Sequence, residues 1–294
     1  MIVKHFDVST PQTKPPQKEG WEQAWYGYHR MTRCWSEEMR QKFSEQIKST
    51  CAKGELNESQ FERDCFLSVL ANIEKEHVNM FEIGAGWGEW CLALAGVIDH
   101  KVIPIKPVSY RCLAVEGEPT HYQWLKKHFE IHDINGIAVH GAVSDKNGIC
   151  HFNTSAPPDV WYGQAITYHK LSTKEIIRYL RSFVLKKATI KVPMYTLDYL
   201  KEAYEFDHID IVDIDVEGAE FDVMQGATNS IKDDLIDYLL IGTHEKKLND
   251  KLRQLLSPKF DLVVDIYPNS VGIVDGFPPV KCQDGIQLYK RKNI

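Results

Sequence analysis

The sequence predicts an α/β fold: a doubly wound sheet, mostly parallel, with a C-terminal antiparallel hairpin and an N-terminal helical extension. Three observations predict it. From residue 76 onward, short apolar runs alternate with segments of helical periodicity, the pattern of consecutive βαβ units. The first apolar run passes directly into Gly84, Gly86 and Gly88 and then into a helical pattern. The last two apolar runs, 260–266 and 285–290, have no helical pattern between them and read as a hairpin.

In chain order, residues 1–20 carry Pro11, Pro15, Pro16 and Gly20 among polar residues and read as an extended arm rather than a packed element. Trp21, Trp25, Tyr26 and Tyr28 then dock this terminus onto the core, a simpler role than covering an active site. Helices are expected at 36–50 and 59–73, the second from Phe61, Cys65, Phe66, Val69 and Leu70 at helical spacing. The arm and these helices, 1–75, form a lid or extension; 76–294 form the sheet domain. Strands follow at 78–83, 111–116, 137–143, 208–214 and 237–242. Between them run helices at 87–96, 119–131 (with Tyr122, Leu125 and Phe129 on one face), 219–225 and 246–256. Residues 153–190 read as an irregular insertion with a helix at 172–184.

Composition narrows the class. At 43% hydrophobic and 26% charged, the 294 residues are those of an ordinary globular protein. The net charge of −6 and scattered Lys and Arg leave no basic stripe for nucleic acid. The seven cysteines form no C-x-x-C pair, which argues against a zinc site or a disulfide framework and for a reducing, cytoplasmic setting. No apolar run approaches membrane-spanning length, so no membrane insertion is expected. Nothing in the composition distinguishes a monomer from a homo-oligomer.

In doubly wound sheets, ligands bind beyond the carboxyl ends of the strands. The first strand ends in Glu82-Ile-Gly84-Ala-Gly86-Trp-Gly88-Glu89. Its three glycines let the chain turn sharply and a ligand lie against bare backbone. A dinucleotide fingerprint needs a small residue three places after its second glycine; that place is Glu89. Glu82 and Glu89 would repel a pyrophosphate from the helix N-terminus that otherwise welcomes it. A nucleoside cofactor carrying a sulfonium and a free amine reverses that sign. Trp87 and Trp90 offer ring faces for a cation, although packing is their simpler role.

The second strand ends Glu116-Gly117, where an acidic side chain can accept both hydroxyls of a ribose. The third ends Gly141-Ala142-Val143-Ser144-Asp145, small enough for backbone amides to meet an adenine edge, with Ser144 or Asp145 reaching its amino group. The fourth ends Asp213-Ile-Asp215-Val-Glu217-Gly-Ala-Glu220, and strand alternation puts Asp213 and Asp215 on one face. Such a cluster can orient a cofactor amine, act as a base, or bind a hard divalent cation such as Mg2+. Glu217 and Glu220 also suit the dipole of the helix they precede. The fifth strand ends at His244, placed for a general base and ordinarily titrating near neutrality. Asp215 and His244 are therefore the candidate catalytic residues, and Asp215, Glu217 and His244 the candidate metal ligands.

With these pieces in order, residues 76–245 resemble the FkbM family of S-adenosylmethionine-dependent methyltransferases. The most specific segment is Ile-Asp-Val-Glu-Gly-Ala-Glu at 214–220, preceded by Ile-Asp-Ile-Val-Asp. Phe-Glu-Ile-Gly-Ala-Gly-Trp-Gly, Val-Glu-Gly-Glu-Pro, Gly-Ala-Val-Ser-Asp and Thr196-Leu197-Asp198 agree in order and place. One departure is Asp213, where the family often has lysine. The resemblance implies a class I methyltransferase, Rossmann-like sheet. It also implies S-adenosyl-L-methionine as cofactor, held by Glu82, the three glycines, Glu116, Gly117, residues 142–145 and Asp215. The implied reaction is O-methylation of a small-molecule or saccharide acceptor. An NAD-dependent oxidoreductase is the rival on the same sheet; Glu89 argues against it, and so does a Tyr122/Lys126 pair lying on the wrong helix. A protein that keeps the cofactor without turnover is the rival from another class.

Overall fold

The apolar runs form a seven-stranded sheet of β1 (His77–Ile83), β2 (Ser109–Glu116), β3 (Gly136–His140), β4 (Ile209–Ile214), β5 (Ile236–Thr243), β6 (Phe260–Ile266) and β7 (Gly285–Arg291). The computed structural model describes residues 2–8, 10–11, 13, 20–154, 157–160, 166–167 and 189–293; the helix expected at 172–184 lies outside them. The strand order is β6-β7-β5-β4-β1-β2-β3. All neighbours are parallel except β7, which runs antiparallel to both β5 and β6. The order reverses between β1 and β4, and the crevice that ligands occupy in such sheets opens there.

Alternation along each strand sorts side chains onto two faces. Val78, Met80, Ile211 and Leu240 join a core with α2 (Glu58–Asn72), α3 (Glu89–His100) and α4 (Pro119–His132), which follow α1 (Glu37–Ala52) in the chain. Phe81, Ile83, Val212 and Ile214 join the opposite core. That core is covered by α5 (Leu197–Ala203), α6 (Glu220–Gln225), α7 (Thr228–Lys232) and α8 (Lys246–Leu256). Two steps along from Met80 and Ile211, Glu82 and Asp213 therefore share the face that α2 and α3 cover. They stand side by side in register.

Local chemistry sets the helix starts. Ser36 accepts from Met39 N at 3.3 Å to cap α1, and Asn57 accepts from Ser59 N at 3.0 Å to cap α2. α2 is held by Phe61, Phe66, Leu67 and Leu70, all fully buried. Each such side chain contributes roughly 1.5–3 kcal/mol.

Four regions differ from expectation. The third strand is not continuous over 137–143: β3 stops at His140, and Ala142–Val143 pairs with Thr189–Tyr195 in a second sheet. That sheet also holds Gly148–Asn153 and Ile166–Thr167. The break falls at Gly141, where a Cβ would come within 2.7 Å of the Tyr195 ring and 2.8 Å of the Pro193 carbonyl. The final hairpin is not simple either. Its connection carries Ser270–Gly272 and Val280–Cys282, which pair with each other, and Val280–Lys281 pairs with Leu56–Asn57 ahead of α2. The N-terminal arm does pack: Val3 is buried, Lys4 N donates to Ser68 Oγ at 2.9 Å, and His5 Nδ1 meets Asp64 at 2.7 Å. Finally, Trp21–Gln23 and His29–Met31 form a short hairpin whose turn buries Tyr26 against Gly96.

No helix among the described residues is long and apolar enough to cross a membrane. All seven cysteines are free, Cys51 exposed and the others buried.

Candidate active site

A cavity of about 880 Å³ opens beyond the carboxyl ends of β1, β2, β4 and β5. Its first wall is the glycine loop. Gly84 takes φ 81°, and a Cβ there would lie 1.8 Å from the Asp215 carbonyl, so the loop can cross the end of β4 only as glycine. Gly86, at φ 55°, donates its N–H to Glu116 at 2.7 Å, and the other Glu116 oxygen accepts from Glu118 N at 2.6 Å. These bonds fix the carboxylate at the cavity wall and leave each oxygen with a further lone pair for a ligand hydroxyl. Glu82 accepts from Trp90 N at 3.0 Å and Cys91 N at 2.8 Å, which places its charge at the start of α3. Burial pushes Glu82 up to about 7 and Glu116 up to about 8, against the backbone N–H groups that favour ionisation. A carboxylate already occupies the place where a pyrophosphate would bind.

The second wall is the end of β4. Asp215 N donates to the Ile83 carbonyl at 2.9 Å, and Glu217 takes a left-handed φ of 55° before Gly218 at 101°. Both carboxylates line the cavity. The Asp215 side chain keeps 62% of its surface open, and it opens into the cavity. Burial raises Asp215 to about 6 and Glu217 to about 7, with His244 opposing the shift in each.

His244, expected as a general base, is paired with three carboxylates, a setting that works against that role. Its Nδ1 donates to the fully buried Glu220 at 2.9 Å, and its Nε2 lies 3.4 Å from Asp215 and 3.5 Å from Glu217. Burial opposes its charge, but the Glu220 hydrogen bond and the surrounding carboxylates outweigh burial and hold its pKa up to about 10. An imidazolium so held cannot take a proton near neutrality. His244 also sits behind the wall rather than in it. The carboxylates facing the cavity are better placed to act as base.

Asp215, Glu217 and His244 present one donor atom each within 4.8 Å of one another. A divalent ion there would have to displace the Nε2 proton of the imidazolium, with Glu220 orienting the ring from behind. Among the remaining expected cofactor residues, Gly117, Ala142 and Val143 line the cavity. Ser144, Asp145 and Gly88 do not. The Ser144 carbonyl packs against Gly226, Asp145 is exposed, and a Cβ at Gly88 would strike Leu125 on α4. Gly88 thus serves helix packing, and residues 144–145 turn away because the chain leaves the main sheet at Gly141. Trp87 packs against His128 and Trp90 against Phe66, while each also shows an edge to the cavity.

The third wall, from α1, α2 and the 283–284 turn, has no counterpart in the sequence reading. Trp35, Phe43 and Ile47 give it an apolar part; Glu58, Glu62 and Asp284 give it an acidic one. The available signal was the i, i+4 spacing of Glu58 and Glu62 beside the apolar stripe of α2.

Comparison with known proteins follows this geometry. Residues 82–261, more than half of the chain, match the sequence profile described as the methyltransferase FkbM domain. A protein of Jannaschia sp. (strain CCS1), provisionally named a methyltransferase, is 28% identical over 224 residues, 74% of this chain and 73% of its own. Methyltransferase FkbM from Methylobacillus flagellatus KT is 15% identical with a TM-score of 0.41, over 82% of this chain. The match covers 57% of that solved chain, little more than half its length. TrmK of M. capricolum, solved with S-adenosyl-homocysteine, is 12% identical with a TM-score of 0.40, over 78% of this chain and 67% of that one. Structural likenesses of this size carry no statement about substrate.

Proposed function

The chain belongs to the FkbM family of S-adenosylmethionine-dependent methyltransferases, and from that premise we propose that it methylates a hydroxyl oxygen on a saccharide or natural-product small molecule. The observation that carries the reading is the charge of the cavity. Its lining holds ten carboxylates (Glu22, Glu58, Glu62, Glu82, Glu89, Glu116, Asp213, Asp215, Glu217 and Asp284) against three cations (Arg30, Arg40 and Lys48). A cationic methyl donor is welcome there, whereas a diphosphate cofactor or a nucleic-acid acceptor is repelled. The free cysteines support a reducing, cytoplasmic setting.

When bound, S-adenosylmethionine supplies a methyl carbon on a sulfonium; an acceptor oxygen forms the new C–O bond as the C–S bond breaks toward sulfur. The protein's share is alignment, worth roughly 7–11 kcal/mol against the bimolecular reaction. Glu116 would hold the ribose hydroxyls, and the bare backbone of residues 84–86 would let the cofactor lie close. Asp215 or Glu217, raised toward neutrality, takes the hydroxyl proton on a carboxylate oxygen. His244 stays charged and fixes both carboxylates.

Calorimetry with S-adenosylmethionine, S-adenosylhomocysteine and NADH tests the cofactor; binding of NADH alone would sink the reading. Release of S-adenosylhomocysteine with hydroxylated acceptors separates an enzyme from a silent binder. The donor set at His244 favours one second reading, in which a divalent ion makes the acceptor hydroxyl more acidic. Turnover abolished by EDTA and restored by Mg2+ would select it.

A further inference from the structure

The cavity is more acidic than a methyl donor requires. S-adenosylmethionine brings one net positive charge, and the carboxylates beside the glycine loop are already engaged. Glu82 and Glu116 hold backbone N–H groups, and Glu89 lies 3.7 Å from Arg30. Asp213 has no such engagement. It is 6% exposed, lines the cavity, and makes no hydrogen bond or ion pair with any described residue. Burying a carboxylate without a partner is costly, and proteins keep such groups where a ligand or function supplies the partner.

Glu62 on α2 lines the same chamber, within electrostatic reach of Asp213 and Asp284, and likewise makes no hydrogen bond or ion pair with any described residue. Glu58 is spent on the backbone: its two oxygens accept from Gln283 N at 2.9 Å and Asp284 N at 3.0 Å, which holds Asp284 at the wall. Arg40 and Lys48, on α1, make no ion pair with these carboxylates. The chamber therefore gathers these acidic groups with no ion-paired cation among the described residues, and burial with their mutual repulsion raises Asp213 and Glu62 well above the usual carboxylate range, a cost that a bound cation relieves.

We propose that Asp213, Glu62 and Asp284 anchor a protonated amine on the acceptor, so that the methylated hydroxyl belongs to an amino sugar or amino alcohol; this rests on the methyl-transfer reading above. A bare divalent ion fits this trio less well. Among the described residues none of the three belongs to a group of three donor atoms within 4.8 Å of one another, the convergence that a bare ion needs and that an amine bound to fewer of them does not. An ammonium has no lone pair to attack a methyl carbon. Anchoring it leaves the neighbouring hydroxyl as nucleophile beside Asp215 and Glu217.

The test is calorimetric, on S-adenosylhomocysteine-loaded protein, with matched probes: glucosamine against glucose, ethanolamine against ethylene glycol, and Mg2+ alone. The amine of a pair is expected to bind tighter by about tenfold or more. Asp213→Asn and Glu62→Gln should each erase that preference while leaving S-adenosylhomocysteine affinity within about twofold. Equal affinities within both pairs in the unaltered protein, or no binding of either amine, overturn the inference without recourse to variants. So does an Asp213→Asn protein that loses cofactor affinity but keeps the amine preference, which would assign Asp213 to the cofactor's own amine. Mg2+ binding abolished by Asp213→Asn would assign the carboxylate to a metal and overturn it too. If the unaltered protein fails to bind S-adenosylhomocysteine, the methyl-transfer reading falls and takes this inference with it; bound cofactor without amine preference defeats this inference alone.

Discussion

The central sheet carries an acidic cluster at each end, and the two differ in what surrounds them. At the amino end of β4 and β5, Asp210 and Asp237 share Lys75, whose Nζ lies 2.6 and 2.9 Å away. Arg291 reaches Asp237 at 2.8 Å and His208 reaches it at 2.9 Å. His208, Asp210 and Asp237 converge as closely as Asp215, Glu217 and His244 do. Donor spacing therefore does not separate the two ends; counter-charge does. At the amino end every carboxylate meets a cation, as in a strut. At the carboxyl end one imidazolium serves Asp215, Glu217 and Glu220, and Asp213 meets no cation among the described residues. Acidity points to a ligand only where the protein has left it unbalanced inside a cavity.

Substitutions at the two ends should separate rate from stability. Asp215→Asn is expected to cut kcat by about 10²–10⁴ with little change in melting temperature, because it removes the proton acceptor and leaves the shape. An unchanged kcat would take Asp215 out of the chemistry. Asp237→Ala is expected to cost about 3 kcal/mol of stability, measured by urea melts, since it strands the partners of a buried aspartate. Its kcat per folded molecule should not move.

The ends should also respond to pH in opposite directions. Burial works to raise Asp237, but hydrogen bonds from His208, Lys75 and Arg291 hold it well below the usual carboxylate range. Its stabilising contribution is complete above the unfolded value of about 3.9 and fades as pH falls toward the lower folded value. His244 is held up to about 10, so its contribution is complete below the unfolded value of about 6.5 and is lost as pH rises through about 10. In melts across pH, Asp237→Asn should flatten mainly the acid limb and His244→Gln mainly the alkaline limb, each touching the other limb less through its partners. A variant whose larger effect falls on the opposite limb would break the comparison. The smallest effect expected is that of Glu220→Gln, which should lower the His244 titration midpoint in NMR while sparing the fold.

Much of this was readable in advance where short-range pattern decides structure. Each strand of the main sheet is an apolar run between breakers, and alternation alone put Asp213 and Asp215 on one face. Thr189–Tyr195 escaped notice because Lys191 and Pro193 interrupt its apolar residues, although its inward positions, Val192 and Met194, do alternate. The charged state of His244 was hidden because it depends on Glu220, 24 residues earlier, reaching back at 2.9 Å. Glu58 and Glu62 have no place in the sequence reading, since they lie off the apolar stripe of α2. Only the pairing of Leu56–Asn57 with Val280–Lys281 brings that side over the end of β4.

That pairing also dictates an order of assembly. Glu58 is clasped to Gln283 and Asp284 across 225 and 226 positions of sequence, and β7, made last, must slot between β5 and β6. A nascent chain emerging from the ribosome has the glycine loop and its neighbouring strand ends long before α2 can be clasped over them. The wall around the three glycines is built early; the wall facing it closes only once residues 280–291 have been made.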